Sequence, residues 1–69
     1  MPLILATKGN EVNIKKINGN DETKRFLNSL GFVVGESVKI ISELGGNLII
    51  NVKDSRIALD KSMASRIIV

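Results

Sequence analysis

The sequence predicts one small, mainly β domain, a barrel of about five strands with a single short helix. The chain has only 69 residues, which is enough for one domain over residues 1–69. Glycines separate short segments in which apolar and polar residues alternate, the pattern of half-buried strands. One stretch alone has its apolar residues at the spacing of an amphipathic helix. These three observations together define the predicted fold class.

The composition excludes most catalytic and metal chemistry. With 43% hydrophobic and 25% charged residues the chain is expected to fold, but it contains no Cys and no His. Disulfides, Cys/His zinc sites and His-dependent nucleophiles are therefore excluded. The seven carboxylates stand mostly at predicted caps and turns, where acidic residues have structural roles. We predict no enzyme, no catalytic residue, no cofactor and no tight Fe²⁺ site.

The first strand is predicted where Val12 to Lys15 alternate between apolar and polar. Ile17 is out of step with Val12 and Ile14, so a bulge or the end of the strand is expected near Lys15 and Lys16.

The helix is predicted over residues 21–30. Asn20 or Asp21 can cap its first turn, and Gly31 stands where a helix commonly ends in a left-handed residue, with Phe32 making the following apolar contact. Asp21 and Arg25 are spaced to pair one turn apart. The predicted semi-apolar face consists of Thr23, Phe26, Leu27 and Leu30.

Residues 38–40 and 48–52 are the next two predicted strands. A two-residue turn at Gly45 and Gly46 would put their apolar residues on opposite faces, because a one-residue shift of register inverts a strand. An odd-length, bulged turn of three or five residues, with Ile40 opposite Val52, is expected instead.

The last part of the chain is predicted to form a tight hairpin, a helical turn and a closing strand. A two-residue loop at Asp54-Ser55 would pair Val52 with Ile57 and Ile50 with Leu59. Asp60 can cap a single turn over residues 61–64, and residues 66–69 form the final strand. A five-stranded barrel with a helical turn before its last strand is, by analogy, the layout of SH3-like barrels.

Two surfaces are candidates for binding a partner. The net charge of +3 fits either a merely solvated surface or an anionic partner. The outward side of the helix offers Lys24, Arg25 and Asn28, which suit an acidic patch. The second candidate consists of apolar residues outside the predicted core face, which form a patch or lie under the helix and the N-terminal segment: Ile41, Ile49 and Ile68.

Nucleic acid is not an expected partner, because small barrels stack bases on exposed aromatic rings. This chain has no Tyr or Trp, and both Phe are predicted to be packed. The longest apolar run, Leu3 to Ala6, is too short to span a bilayer and lacks the flanks of a secretory signal. A cytoplasmic domain without direct membrane insertion is therefore expected, and self-association is compatible with the sequence.

The order of these motifs resembles the FeoA family, ferrous iron transport protein A. The likeness lies in Phe26-Leu27-Asn28-Ser29-Leu30-Gly31-Phe32 followed by Gly35 and Val38, in Gly46 to Val52, in Ile57-Ala58-Leu59, and in Ala64 with Ile67-Ile68-Val69. One departure is Asp60, where members often carry a basic residue.

The resemblance implies an SH3-like barrel in the bacterial cytoplasm that is linked to iron transport and transition metal ions. Such a protein acts by direct contact with a membrane ferrous iron permease that has a cytosolic GTP-binding domain, and so lies at the inner face of the membrane. Related barrels form the C-terminal domain of iron-dependent repressors. A nucleic-acid- or peptide-binding barrel of that kind is the alternative function.

Overall fold

The computed structural model describes residues 1–69 and contains two antiparallel sheets and two short helices. A 3₁₀ turn at Leu3–Leu5 precedes the first strand. The elements then follow in the order β1 (Glu11–Asn13), β2 (Lys16–Ile17), α1 (Asp21–Ser29), β3 (Ser37–Leu44), β4 (Asn47–Val52), β5 (Ser55–Asp60), α2 (Lys61–Ala64) and β6 (Ile67–Ile68). The larger sheet has the order β1-β3-β4-β5, and β2 pairs with β6 in the smaller one. The mainly β prediction, with one helix early and one helical turn before the last strand, is confirmed.

The first predicted strand is divided between the two sheets, so the chain has six strands. The N–H of Ile14 donates to the carbonyl of Glu36 at 2.9 Å, whereas the next N–H, that of Lys15, donates to the carbonyl of Ile68 in β6 at 2.7 Å. The break expected near Lys15 and Lys16 is therefore a change of sheet. Because the strand direction changes there, Ile14 and Ile17 are both buried although their spacing is odd.

The core is entirely apolar, and every element except β1 contributes to it. No polar or charged residue is buried. The fourteen buried residues are Leu3, Ile14, Ile17, Leu27, Phe32, Val38, Ile40, Leu48, Ile50, Val52, Leu59, Ala64, Ile67 and Val69. Such burial is the main term that stabilises a domain of this size.

Helix α1 is closed at both ends by its own sequence. The side chain of Asn20 accepts a hydrogen bond from the N–H of Thr23 at 2.8 Å, so Asn20 is the N-cap. At the other end Gly31 has φ +102°, and its N–H donates to the carbonyl of Asn28 while that of Phe32 donates to the carbonyl of Leu27, each at 3.0 Å. This pair of bonds is a Schellman motif, as the glycine predicts.

Two expectations for α1 are wrong. Helical spacing places Phe26 on the packed face, but the residue is 46% exposed, whereas Leu27 and Phe32 are fully buried. The short helix needs only Leu27 as its deep anchor, and Phe26 lies at the rim of the face. Arg25 does not pair with the carboxylate of Asp21, since its Nε donates to the Asp21 backbone carbonyl at 3.4 Å.

The turn between β3 and β4 contains only Gly45 and Gly46, so the odd-length loop is wrong. Their φ values of +57° and +84° belong to a tight hairpin turn that requires positive φ at both positions. Asn47, which a three-residue loop would include, is the first residue of β4 and pairs with Leu44.

With a two-residue turn, a regular hairpin would place the apolar residues of β3 and β4 on opposite faces. An irregularity within β3 prevents this. The register of β3 shifts after Ile40, which leaves Ile41 as the extra residue of a β-bulge. Ile40 therefore lies opposite Ile50 and not opposite Val52. The bulge restores one shared apolar face just as an added loop residue would, because either device inserts one residue into the same hairpin.

The β4–β5 loop is Lys53 and Asp54, one residue earlier than expected. Both have positive φ, +47° and +62°, which fits a tight two-residue hairpin. Ile50 consequently pairs with Ile57 and not with Leu59. The partner of each β4 residue is thus two positions earlier in β5 than predicted, and a shift of two residues keeps every side chain on the same face. The predicted core face is therefore confirmed, although the predicted register is wrong.

The two ends of the described chain are hydrogen-bonded to each other. The amino group of Met1 donates to the carbonyl of Val69, and the N–H of Val69 donates to the carbonyl of Met1, both at 2.7 Å. Pro2 forms a bridge to Ile68 beside them. Before this strand, the carboxylate of Asp60 caps α2 by accepting from the N–H of Met63 at 2.7 Å, as expected.

No helix of the structure is both long enough and apolar enough to cross a bilayer.

Candidate functional site

An open depression of about 480 Å³ lies beside α1 and is the main concave feature of the surface. We call it the lysine depression. Its lining residues come from the change of sheet, from one side of α1 and from the segment after α1: Lys15, Lys16, Ile17, Lys24, Asn28, Val33 and Val34.

Local structure explains why these residues meet. Lys24 and Asn28 are four residues apart on α1 and therefore share one side of the helix. The Schellman turn at Gly31 reverses the chain, so that Val33 and Val34 return along that side. Lys15 and Lys16 are brought opposite them because the chain leaves the larger sheet after Ile14 and pairs with β6.

The charge of the lysine depression is uncompensated. Its lining includes three amino groups and no carboxylate, and the only salt bridge in the structure joins Lys61 to Glu43 elsewhere, at 2.9 Å. Ten Lys and Arg against seven Asp and Glu give the net charge of +3. Outside the depression the cations and carboxylates are therefore equal in number, and the entire excess of positive charge lies inside it.

The floor and one wall of the depression are apolar. Ile17 is almost fully buried at its base, Val33 is half-buried, and Val34 is 66% exposed. The depression thus offers positive charge, an amide and apolar surface together. That combination suits the binding of an anionic partner.

The structure brings together no group of three or more His, Cys, Asp or Glu side chains that could hold a metal ion. The group with a clearly displaced pKa is Glu43, which lies outside the lysine depression. A hydrogen bond from Lys61, reinforced by the positive charge of Lys61, lowers the pKa of Glu43 below its ordinary value of 4.5.

The residues predicted for partner binding are distributed over separate surfaces. Lys24 and Asn28 line the lysine depression, whereas Arg25 is exposed beside it. Ile41 and Ile49 are half-buried neighbours in the larger sheet, at the bulge of β3 and on β4. Ile68 is also half-buried, but it belongs to the smaller sheet.

Sequence reasoning misses the other five lining residues, which are Lys15, Lys16, Ile17, Val33 and Val34. The adjacency of the two lysines is visible, but their position opposite α1 depends on the pairing of β2 with β6 at the far end of the chain. The pair of valines after Gly31 is the other available signal, since a turn at that glycine returns them toward the helix.

A second, smaller depression of about 320 Å³ lies on the other side of α1. It contains the exposed ring of Phe26 and the half-buried Met63, with polar residues around them. The helix therefore separates the lysine depression from a second depression without lysines, and the exposed aromatic residue lies in the second one.

Comparison with known proteins gives matches over the whole chain. A family model described as the FeoA domain matches residues 1–69. A relative from Methanocaldococcus jannaschii, named "Putative Fe(2+) transport protein A", is 37% identical over 68 residues, which cover 99% of this chain and 83% of that protein. The crystal structure of Stenotrophomonas maltophilia FeoA complexed with zinc, described as a prokaryotic SH3 domain protein, superposes with a TM-score of 0.84 at 32% identity, over 100% of this chain and 88% of that one.

The same fold occurs in a manganese-dependent transcriptional repressor. That protein superposes with a TM-score of 0.85 at 16% identity, over 97% of this chain and 39% of the repressor chain. At this identity the likeness is one of fold alone. The expected SH3-like barrel is confirmed by the structure and by these superpositions.

Proposed function

The chain belongs to the FeoA family, and on that premise we propose that it is an accessory protein of ferrous iron uptake that acts by contact with a membrane ferrous iron permease. The permease is expected to carry a cytosolic GTP-binding domain. This family consists of small accessory proteins of transport and is not a family of enzymes. We place the protein in the cytoplasm, held at the inner face of the membrane through its partner.

One observation supports contact through the flank of α1: the excess positive charge of the molecule lies there. Three lysines without carboxylate partners line a depression that α1 borders. Charges that are paired within a protein contribute little to recognition, whereas an unpaired cluster steers an oppositely charged partner. The contact residues that we propose are Lys24 and Asn28 in the depression and Arg25 on the exposed helix beside it.

The second predicted surface, Ile41 and Ile49, remains a proposal of lower rank. Both side chains are half-buried within the larger sheet. They would become the interface if charge reversal on α1 leaves binding intact.

In this proposal ferrous iron is the cargo of the partner and not a resident ion of this chain. The Stenotrophomonas relative was crystallised with zinc. The present chain has no His or Cys and brings no group of carboxylates together, so any transition metal binding of its own would rest on isolated, weak oxygen ligands.

The alternative is a nucleic-acid- or peptide-binding barrel like a repressor domain. The lysines of the depression favour it, since phosphates attract such a cluster. The position of the exposed aromatic ring argues against nucleic acid. Phe26 lies on the opposite side of α1 from the lysines, so a base bound at the lysines could not stack on it.

The test is co-purification of the permease with a tagged form of this protein. The variant Lys24→Glu with Arg25→Glu is expected to lose the permease while it keeps its circular dichroism and melting temperature, because both side chains are exposed. The new carboxylate at position 25 would lie one turn from Asp21, at a cost of about 0.2–0.5 kcal/mol.

The matched control is Lys8→Glu with Arg56→Glu, which changes the net charge equally at two exposed positions outside the depression. It is expected to retain the permease. Failure of the wild-type protein to capture any permease, with capture of RNA or DNA in its place, would contradict the proposed function and favour the alternative.

A further inference from the structure

We infer that the lysine depression binds a short acidic segment of the partner protein, in which carboxylates flank one apolar side chain. This inference deepens the proposed function and rests on it, since it states the chemistry of the partner's contact. Three features of the depression lead to it: its unpaired charge, its exposed apolar wall and its size.

The charge requires an anionic occupant with more than one negative group. Lys15, Lys16 and Lys24 surround one opening, and no carboxylate of this chain forms a salt bridge with any of them. A partner that brings several carboxylates is attracted by all three positive charges at once. A neutral ligand would leave the cluster as it is.

The apolar wall favours a peptide over a bare phosphate. Val34 is 66% exposed between the lysines and the turn after α1, and Val33 and Ile17 continue this surface inward. An aliphatic or aromatic side chain of the partner would cover it and so contribute hydrophobic free energy. Inorganic phosphate would leave the valines in water, and a nucleic acid would lack an aromatic ring on which to stack.

The size limits the occupant to a short segment. A volume of about 480 Å³ holds a few side chains, in the range typical of small-ligand sites. The amide of Asn28, at the helix side of the opening, can both donate to and accept from the backbone of an extended segment.

The backbone that carries these side chains is fixed before a partner arrives. The N–H of Lys15 is bonded to the carbonyl of Ile68 at 2.7 Å, Ile17 is packed in the core, and the end of α1 is closed by the bonds around Gly31. Binding therefore needs no rearrangement of this backbone, which removes one of the entropy costs of association.

The experiment measures binding of fluorescently labelled peptides by anisotropy. The probe is a peptide in which glutamates flank a single leucine. One control peptide has glutamine in place of every glutamate, and another has serine in place of the leucine. The wild-type protein is expected to bind the probe at an ionic strength of about 0.1 M and to lose it near 1 M, where the screening length falls from about 10 Å to about 3 Å. Both control peptides are expected to bind more weakly.

The variants locate the site. Lys16→Glu with Lys24→Glu should weaken binding by at least about tenfold, whereas the control Lys8→Glu with Arg56→Glu should change it by no more than about twofold, since charges outside the depression contribute only through the overall field. Val34→Ser should weaken binding of the peptide that contains leucine and leave binding of the serine control peptide unchanged. In ¹⁵N-labelled protein, amide signals of residues 15–17, 24–28 and 33–34 should shift.

Several results would overturn the inference. If the Lys16→Glu, Lys24→Glu variant and the Lys8→Glu, Arg56→Glu control lost equal peptide affinity, binding would depend only on the net charge of the protein. If the protein bound a single-stranded oligonucleotide or phosphatidylserine-rich vesicles more tightly than the probe, the lysines would be a binding site for phosphates and not for carboxylates.

Capture of the permease separates this inference from the proposed function. If the wild-type protein captures the permease and the Lys16→Glu, Lys24→Glu variant does so equally well, the inference is wrong and the proposed function stands. If the probe binds at the depression but no permease is captured, the proposed function is wrong and the acidic-segment site remains.

Discussion

Replacement of Gly31 by valine tests how the end of α1 is held. Gly31 has φ +102°, a conformation that residues with a Cβ rarely adopt. A Cβ built at this position would meet Val52 at 3.6 Å and Lys53 at 3.7 Å, which are ordinary contacts. The cost of Gly31→Val therefore comes from the backbone and not from a collision.

The magnitude follows from two opposing terms. Holding a non-glycine residue at this φ costs about 1–3 kcal/mol. Valine also restricts the unfolded chain more than glycine does, which returns about 0.4–1 kcal/mol to the folded state. We expect a net loss of about 1–2 kcal/mol, and for a domain of this size each kcal/mol lowers the melting temperature by about 4–8 °C.

The assay is thermal unfolding followed by circular dichroism, with Gly31→Asn as the control. Asparagine tolerates positive φ better than valine, so it should lose less stability. A melting curve for Gly31→Val equal to that of the wild type would refute the Schellman assignment. Equal destabilisation by Asn and Val would show that the contacts with Val52 and Lys53, rather than φ, determine the cost.

Three further predictions concern the helix, the single ion pair and iron. Leu27→Ala is expected to lower the free energy of unfolding by about 2–5 kcal/mol, because Leu27 is fully buried. Phe26→Ala should melt near the wild type, because the Phe26 side chain is 46% exposed. If chemical denaturation showed that Phe26→Ala is the more destabilised variant, the assignment of Leu27 to the core would be wrong. The lowered pKa of Glu43 makes its pairing with Lys61 stabilising above pH 4.5, and this contribution disappears as the pH falls through the lowered pKa. Glu43→Gln should therefore reduce the acid-side loss of stability, and an NMR titration of Glu43 that gives an ordinary pKa would contradict this. Calorimetry of the isolated protein with Fe²⁺ is expected to show no stoichiometric site of micromolar affinity, since His and Cys are absent; a saturable isotherm would refute that expectation.

The features that the sequence predicts well depend on neighbours along the chain. The N-cap Asn20, the C-terminal turn at Gly31 and the cap of α2 at Asp60 each involve residues within five positions of one another. Local hydrogen bonds of this kind are determined by residue type and spacing. They therefore appear in the structure where the pattern predicts them.

The registers and the helix rim could not be predicted in the same way. Sequence parity requires one extra residue in the β3–β4 hairpin but cannot distinguish a longer turn from the bulge at Ile41, since both restore the same core face. Helical spacing likewise assigns Phe26 and Leu27 to one face, and only packing against the sheets determines which of the two is covered.

Only the two helical residues of the seven that line the candidate site were predictable from the sequence. Lys24 and Asn28 follow from helix geometry, because residues four apart share a side. Lys15 and Lys16 join them only through the pairing of β2 with β6, which connects distant parts of the chain and leaves no periodic signal in either segment. A partner surface assembled across such a distance needs the tertiary structure.

The bonds between Met1 and Val69 have a consequence for the order of folding. They connect residues 68 positions apart, and the entropy lost in closing a loop grows with its length. The β3–β4–β5 meander closes through two-residue turns and can form with little such loss. We expect the meander to form first and the junction of the two ends last. The barrel should therefore open first where β2 pairs with β6, while β3, β4 and β5 stay paired. Amide hydrogen exchange is expected to be fastest in β2 and β6 for this reason.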